Sequence, residues 1–240
     1  MSVLQIQSLG QAGYLFSNDD VRVVIDPYLS DSAAKVDPTL ARLFPPPIAP
    51  GELKADVFIV THDHLDHLDP ETIEAYQHKG TTVFVAPRLA AGKLPSLGIP
   101  RDRIRVVDHA GQCELAHLTI AGVFALGTTP DTVDTAGYLI TFAGGKTVYH
   151  SADTSYCQLL LDCAPHADAL LVCINGKWGN LNAEEAVSLT EKVAPTFVLP
   201  NHFDTMAPNT ADPAVFERLL KQKKAPAQCV VLRPGEIFKL

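Results

Sequence analysis

The most informative run of the chain is Asp56-Val57-Phe58-Ile59-Val60-Thr61-His62-Asp63-His64-Leu65-Asp66-His67. Residues 56–60 are almost wholly apolar, which predicts a buried strand. The strand leads into five ionisable side chains within six positions: His62, Asp63, His64, Asp66 and His67. Neutral imidazoles and carboxylates are good ligands for zinc, manganese or iron. The run therefore predicts part of a metal site at the end of a buried strand.

The spacing within this run favours one set of ligands. Side chains alternate along an extended chain, so His62 and His64 can point the same way. Asp66 and His67 need one further turn to come alongside them, whereas Asp63 projects away and is interpreted as a turn or supporting residue. The alternative is a polar capping loop in which histidines cluster by chance. The complete run at a strand end favours the metal site.

The rest of the chain predicts a sandwich of sheets with helices outside, an α/β architecture in a single domain over residues 1–240. Strands dominate the first third, and helices then alternate with strands. Residues 28–51 carry five prolines and little periodicity, which is typical of a lid or wall around a site. Helices are predicted at 70–79, at 87–94, near Ser155, from Asn182 to Val193 and at 212–223.

Composition excludes several classes of function. A formal net charge of −8 argues against a general nucleic-acid binder, although it permits an anionic small molecule held by local cations. Five cysteines without a Cys-x-x-Cys pair indicate a reducing compartment. The N-terminal residues lack the pattern of a signal peptide, and no apolar stretch is long enough to cross a membrane. These features predict a soluble cytoplasmic protein with a small-molecule substrate; a homo-oligomer is compatible with them.

Single polar residues at other strand ends are candidates to complete the site. Asp153 follows a predicted strand at 147–150, where it could bind metal or cap a helix beginning near Ser155. His202 follows the predicted strand at 196–199. Asp26 ends an earlier strand, where it could orient a histidine or form an Asp-Pro turn.

With Asp153 and His202, the run at 61–67 resembles the metallo-β-lactamase superfamily, whose HxHxDH motif it matches in full. The resemblance implies an αββα four-layer sandwich over essentially the whole chain. Within the superfamily the chain is most similar to L-ascorbate-6-phosphate lactonases and their relatives. That similarity rests on four stretches: residues 9–14, 26–28, 149–153 and 200–204.

The resemblance implies one or two divalent metal ions, zinc or manganese with iron as an alternative. The implied ligands are His62, His64, Asp66, His67, Asp153 and His202. We assign His62, His64 and His202 to one ion and Asp66 and His67 to a second. Asp153 would bridge the two ions. Asp66 and Asp153 are the candidate catalytic carboxylates, and with one ion Asp66 would hold or deprotonate the attacking water.

The chain departs from the superfamily pattern after the predicted strand at 118–125. Many members carry a histidine ligand there, but residues 126–131 contain none. Asp131 or Asp134 could take its place, and a single ion is as compatible with the pattern as two. Ala152 stands where the superfamily usually has glycine, which crowds the turn before Asp153. The chain is also shorter than the lactonases, so the sequence defines the substrate less well than it defines the type of reaction.

The predicted function is opening of a lactone, with a sugar-phosphate lactone such as L-ascorbate 6-phosphate as one substrate. Arg88, Lys93 and Lys177 could approach the site to bind phosphate, with Trp178 as a flat wall, although each also fits an ordinary surface position. One alternative is a phosphodiesterase or nuclease, which the acidic charge and the absent histidine disfavour. Another is a metal-binding or iron redox member without hydrolysis; a redox role would need a flavin domain for which the chain has no room.

Overall fold

The computed structural model describes residues 3–240, which form two mixed seven-stranded sheets. The first sheet has the order β14 (Ile237–Lys239), β1 (Gln5–Gly10), β2 (Gly13–Ser17), β3 (Arg22–Ile25), β4 (Val57–Ile59), β5 (Val83–Ala86) and β6 (Ile104–Val106). The second has the order β13 (Gln228–Cys229), β12 (Phe197–Asn201), β11 (Ala169–Cys173), β10 (Thr147–His150), β9 (Ala136–Phe142), β8 (Leu118–Phe124) and β7 (Gln112–Leu115).

The α-helices of residues 3–240 are α1 (Ser32–Val36), α2 (Pro70–Ala75), α3 (Arg88–Lys93), α4 (Gln158–Cys163), α5 (Ala183–Val193) and α6 (Pro213–Lys223). The helices α2 to α6 cover the outer faces of the sheets, whereas Ala33 of α1 packs with Tyr28 and Met206. Short 3-10 turns lie at Pro38–Leu40, Pro50–Glu52, Leu94–Leu97 and Arg101–Arg103. No helix in this part of the chain combines the length and hydropathy needed to cross a membrane.

Three apolar cores hold the layers together. The central core lies between the sheets, where Phe16 of β2 meets Phe142 of β9 edge to face at 6.1 Å between ring centroids. α2 and α3 pack on the first sheet, and α4, α5 and α6 pack on the second. Each buried Leu, Val or Phe contributes about 1.5–3 kcal/mol relative to an exposed position. The αββα prediction is confirmed.

The topology gathers the predicted site residues at one end of the sandwich. β3, β4 and β5 run parallel, as do β10, β11 and β12. The carboxyl ends of parallel strands lie on the same edge of a sheet, so loops after β3, β4, β10 and β12 converge. Hydrogen bonds join the two sheets there, from Ala136 N to Thr61 O at 3.0 Å and from His202 N to Gln11 O at 3.1 Å.

Some predicted helix boundaries are wrong. α2 ends at Ala75 instead of Lys79, because Tyr76 turns extended and its hydroxyl donates to Ala55 O at 3.0 Å. The helix expected near Ser155 begins only at Gln158, and Cys157 occupies its N-cap position without a side-chain hydrogen bond. Asp153 is therefore not a helix cap, which removes the alternative to a role in the site.

Candidate metal centre

Five of the six predicted ligands come together where the two sheets meet. Ligand atoms of His62, His67 and Asp153 all lie within 4.8 Å of one another, and so do those of Asp66, His67 and His202. The structure thus groups His202 with Asp66 and His67, whereas the sequence hypothesis paired it with His62 and His64. His67 and Asp153 stand between the remaining ligands and form the centre of the cluster.

Several ligand atoms in this cluster have no hydrogen-bond partner among residues 3–240, although they are buried: His62 Nε2, His67 Nε2, Asp153 Oδ1 and His202 Nε2. Asp153 Oδ1 lies 3.4 Å from His67 Nε2 and 2.7 Å from His202 Nε2, without the alignment of a hydrogen bond. Tetrahedral ligands at about 2.1 Å from an ion lie ~3.4 Å apart. Unpartnered buried polar atoms are costly. The donor set therefore fits a divalent metal ion.

Asp26 orients two of the histidines from behind. Its carboxylate is fully buried and accepts hydrogen bonds from Thr61 N at 2.8 Å, Thr61 Oγ1 at 2.6 Å and His67 Nδ1 at 2.7 Å. Since the Thr61 hydroxyl donates to Asp26, it accepts from His62 Nδ1 at 3.0 Å. Both imidazoles are then protonated at Nδ1, which leaves each Nε2 lone pair free to bind metal.

Gln11 and Asn180 support the remaining ligands. Gln11 Nε2 donates to Asp66 Oδ2 at 2.8 Å and lies 3.1 Å from His202 Nδ1. Asn180 Nδ2 donates to Asp153 Oδ2 at 2.7 Å, which leaves Oδ1 facing the histidines. The backbone is left-handed at Gln11, Asp26, Ala152 and His202. Such conformations cost of order 1 kcal/mol or more and cluster at functional sites.

Burial and opposite charges shift the pKa values of the cluster. Burial favours the neutral form of His67, but the carboxylates of Asp153 and Asp66 raise its pKa well above 6.5. Burial raises the pKa of Asp153, and the positive charges of His202 and His67 more than offset this, so that its pKa lies well below 3.8. Burial and the charge on His67 lower the pKa of His62. Without metal, the carboxylates thus favour the protonated form of His67, and the histidines favour the ionised form of Asp153.

His64 stands apart from the two ligand groups. Its ring packs against His62 at 4.7 Å between centroids, but its Nε2 lies 3.0 Å from Thr132 Oγ1. Thr132 belongs to the segment after β8 that lacks the superfamily's histidine. Asp131 of that segment reaches 3.9 Å from His64 Nε2, and its side chain is 81% exposed.

Two features of the same segment correct the predictions about the absent histidine. Asp134 turns away from the site, because its carboxylate accepts a hydrogen bond from Leu89 N and lines a separate cavity. Gly127 has no room for a side chain, since a Cβ there would overlap the carbonyl oxygen of Thr132. The prediction that Asp134 takes the place of the histidine is therefore wrong. A side chain that could bind metal does not fit at position 127.

A cavity of about 390 Å³ opens over the cluster. Asp66, Asp153 and Asn180 line its floor, and Thr128, Thr129 and Asp131 line one side. α1 and the turn after it form another side, as the lid-or-wall prediction for residues 28–51 requires. The cavity thus places substrate-sized space directly against the predicted catalytic carboxylates.

The cations predicted to bind phosphate do not line this cavity. Lys93 Nζ pairs with Asp63 at 2.7 Å, and Arg88 Nη2 pairs with Asp108 at 3.1 Å. Lys177 is exposed beside Trp178, and of these two only Trp178 contributes to the wall.

The sequence analysis did not identify Gln11, Thr61, Thr132 or Asn180 as supporting residues. A weak signal existed for two of them, since Thr61 adjoins the histidine run and Gln11 lies in the stretch at 9–14 that carries the family resemblance. Nothing local marks Asn180 or Thr132, because their roles depend on loops from distant positions.

Comparison with known proteins agrees with the fold and identifies the family. Residues 21–203 match the model of the β-lactamase superfamily domain family. A UPF0173 metal-dependent hydrolase of Hyperthermus butylicus is 28% identical over 98% of both chains, and one of Thermococcus onnurineus is 27% identical over 99% of this chain and 100% of its own. The solved structure of Igni18, a metallo hydrolase from Ignicoccus hospitalis, superposes with a TM-score of 0.79 at 23% identity, covering 99% of this chain and 98% of Igni18. The chain therefore belongs to the metallo-β-lactamase superfamily, and its full-length relatives are named metal-dependent hydrolases.

Proposed function

We propose that this chain is a metal-dependent hydrolase that opens a lactone ring by means of an activated water. Four buried ligand atoms that make no hydrogen bond within residues 3–240 converge beneath an open cavity, and this convergence carries the proposal. A site closed to substrate would need no cavity above such atoms.

The chain's own residues would hold the metal. His62, His67 and His202 offer Nε2 atoms, while Asp153 and Asp66 offer carboxylate oxygens. A divalent ion held there supplies a water that is nucleophilic near neutral pH and polarises the carbonyl oxygen of a substrate. Zinc and manganese fit this donor set, as does iron, and the two ligand groups are compatible with one ion or with two.

The remaining steps belong to the side chains around the ion. Asn180 holds Asp153 in place, and Gln11 holds Asp66 at the cavity floor. In the proposed reaction, water adds its oxygen to the lactone carbonyl carbon, and the acyl–oxygen bond of the ring breaks. If a single ion leaves Asp66 unbound, Asp66 would accept the proton released by the water and return it to the ring oxygen, which leaves as the hydroxyl of the ring-opened acid.

A panel assay tests the proposal. The purified chain is loaded with zinc or manganese, its metal content is measured, and its activity is compared on simple lactones and on phosphodiesters. We expect lactone hydrolysis that is lost together with bound metal in His67→Ala. His117→Ala, which removes an exposed histidine in the turn between β7 and β8, should retain both.

Each alternative function predicts a different result in this assay. Hydrolysis of phosphodiesters with inert lactones would replace the lactonase by a phosphodiesterase or nuclease. Full metal occupancy with no hydrolysis of either class would favour a non-catalytic metal-binding protein.

A further inference from the structure

The cavity over the metal-ligand cluster has an apolar wall. α1 and the 3-10 turn after it contribute part of this wall, and three other loops complete it. Its apolar residues are Ala33, Val36, Leu40, Leu65, Trp178 and Met206. Apolar walls of this kind bind the apolar parts of ligands, while a few polar groups fix orientation.

Three aspartates line the same cavity, and His64 is the other titratable residue of the lining within residues 3–240. Asp66 and Asp153 lie on the floor, Asp131 lies on the side, and no lysine or arginine contributes to the lining in this part of the chain. A single divalent ion would offset the two floor carboxylates. Asp131 would then repel an anionic substituent, and no lysine or arginine among the lining residues that the structure describes could pair with that substituent.

The apolar wall continues to the rim, where large side chains remain in water. Val36 is 76% exposed and Trp178 is 53% exposed. Trp178 is held left-handed at φ +47°, and the next residue, Gly179, packs so closely on Thr128 O that a Cβ there would overlap that oxygen. The loop therefore fixes Trp178 at the edge of the cavity. Exposed apolar surface beside a concave site marks a place where ligands bind.

We propose that the substrate is an uncharged lactone with an apolar substituent, which lies against Val36 and Trp178 while the ring faces Asp66 and Asp153. This inference rests on the proposed lactone hydrolysis and names its substrate class. It replaces the sugar-phosphate lactone expected from the sequence, since the cations proposed for that substrate are paired elsewhere or lie outside the cavity lining.

A kinetic series tests the substrate class. γ-Lactones with unbranched alkyl substituents of zero to six carbons are compared with a lactone whose substituent of equal length ends in phosphate. We expect kcat/KM to rise about fourfold for each methylene that the wall covers. The phosphorylated lactone should fall at least about tenfold below its alkyl counterpart.

Two matched variants test whether the apolar wall causes the gain in kcat/KM. Val36→Ser should reduce the gain per methylene, whereas Val106→Ser should not, because Val106 is exposed on β6 and does not line the cavity. Equal or faster hydrolysis of the phosphorylated lactone would overturn the inference.

A binding measurement separates this inference from the proposed function. Trp178 is the chain's only tryptophan, so its fluorescence reports on the wall directly. The metal-loaded protein is titrated with a hexyl-substituted γ-lactam, which resists ring opening, and with a phosphate-terminated lactam of equal length. We expect a saturable fluorescence change with the hexyl lactam alone, even if no lactone is hydrolysed and the proposed function fails. No change with the hexyl lactam, or equal binding of the phosphate-terminated one, would overturn the inference.

Discussion

Replacing Asp26 by asparagine alters the network behind His67 while keeping the shape of the side chain. Asparagine tolerates the left-handed backbone at this position, where φ is +44°. Its one carbonyl oxygen can accept from Thr61 N, but its amide nitrogen must then face His67 Nδ1, where a carboxylate oxygen now accepts at 2.7 Å. His67 would respond by carrying its proton on Nε2, which is the atom that faces the metal cluster.

The expected cost falls on metal binding. Loss of a partner that orients a ligating histidine typically weakens metal affinity about 10–100-fold. That range corresponds to about 1.4–2.7 kcal/mol of binding free energy. Stability without metal should change less than in Asp26→Ala, which would leave the buried donors of Thr61 and His67 unpaired at about 1–3 kcal/mol each.

Competition titration with a chromophoric chelator measures the zinc affinity of both variants, and urea unfolding in EDTA measures their stability. Asp168→Asn is the matched control, because Asp168 accepts from Thr147 N at 2.8 Å and from Thr147 Oγ1 at 3.0 Å, far from the cluster. It should bind zinc as tightly as the unaltered chain. An Asp26→Asn protein that binds zinc within about twofold of wild type would refute the tautomer argument, since even the weaker limit predicts a tenfold loss.

Three further predictions concern the cluster and its surroundings. The pKa of His67 is raised in the fold, so protonated His67 stabilises the metal-free protein below about pH 6.5. This stabilisation is lost as pH rises through the folded pKa of His67. The stabilisation from ionised Asp153 is lost only as pH falls through the lowered pKa of Asp153. Calorimetry in zinc and in EDTA should therefore give Tm values whose difference widens from pH 6 to 9; a constant difference would count against protonated histidines in the metal-free cluster. Gly127→Ala should destabilise the fold by more than about 2 kcal/mol, because the added Cβ would overlap a backbone carbonyl. Gly92→Ala lies in an open position of α3 and should stabilise the fold by about 0.5–1 kcal/mol. Equal effects of the two substitutions in urea unfolding would contradict this expectation. Asn180→Ala should lower kcat about tenfold or more with little change in KM, because Asp153 loses its hydrogen-bond donor. Steady-state kinetics that show a change in KM alone would instead place Asn180 in substrate binding.

Sequence reasoning succeeded wherever the information is local. The apolar run at 56–60 followed by paired histidines predicts both the buried strand and the cluster at its end. The predicted start of α5 is also confirmed, because Asn182 accepts from Glu184 N and Glu185 N while the Glu185 side chain accepts from Asn182 N. Each of these features depends on residues within a few positions of one another.

The rest depends on which loops meet in space. Gln11 reaches Asp66 and His202 across 55 and 191 positions, a contact that only the packing of two sheets creates. Asp131 and Asp134 lie three positions apart yet face different cavities, since the backbone between them turns at the rim. The single-domain organisation, a cytoplasmic location and a homo-oligomer remain predictions from the sequence.

We propose that His62, Asp66, His67, Asp153 and His202 hold a catalytic metal. Anomalous scattering from crystals grown with zinc or manganese would locate that ion. We expect a strong anomalous peak about 2.0–2.2 Å from the Nε2 atoms of His67 and His202 and in contact with Asp153. A metal-loaded protein with no peak in this cluster, or with its peak at carboxylates elsewhere on the surface, would contradict it.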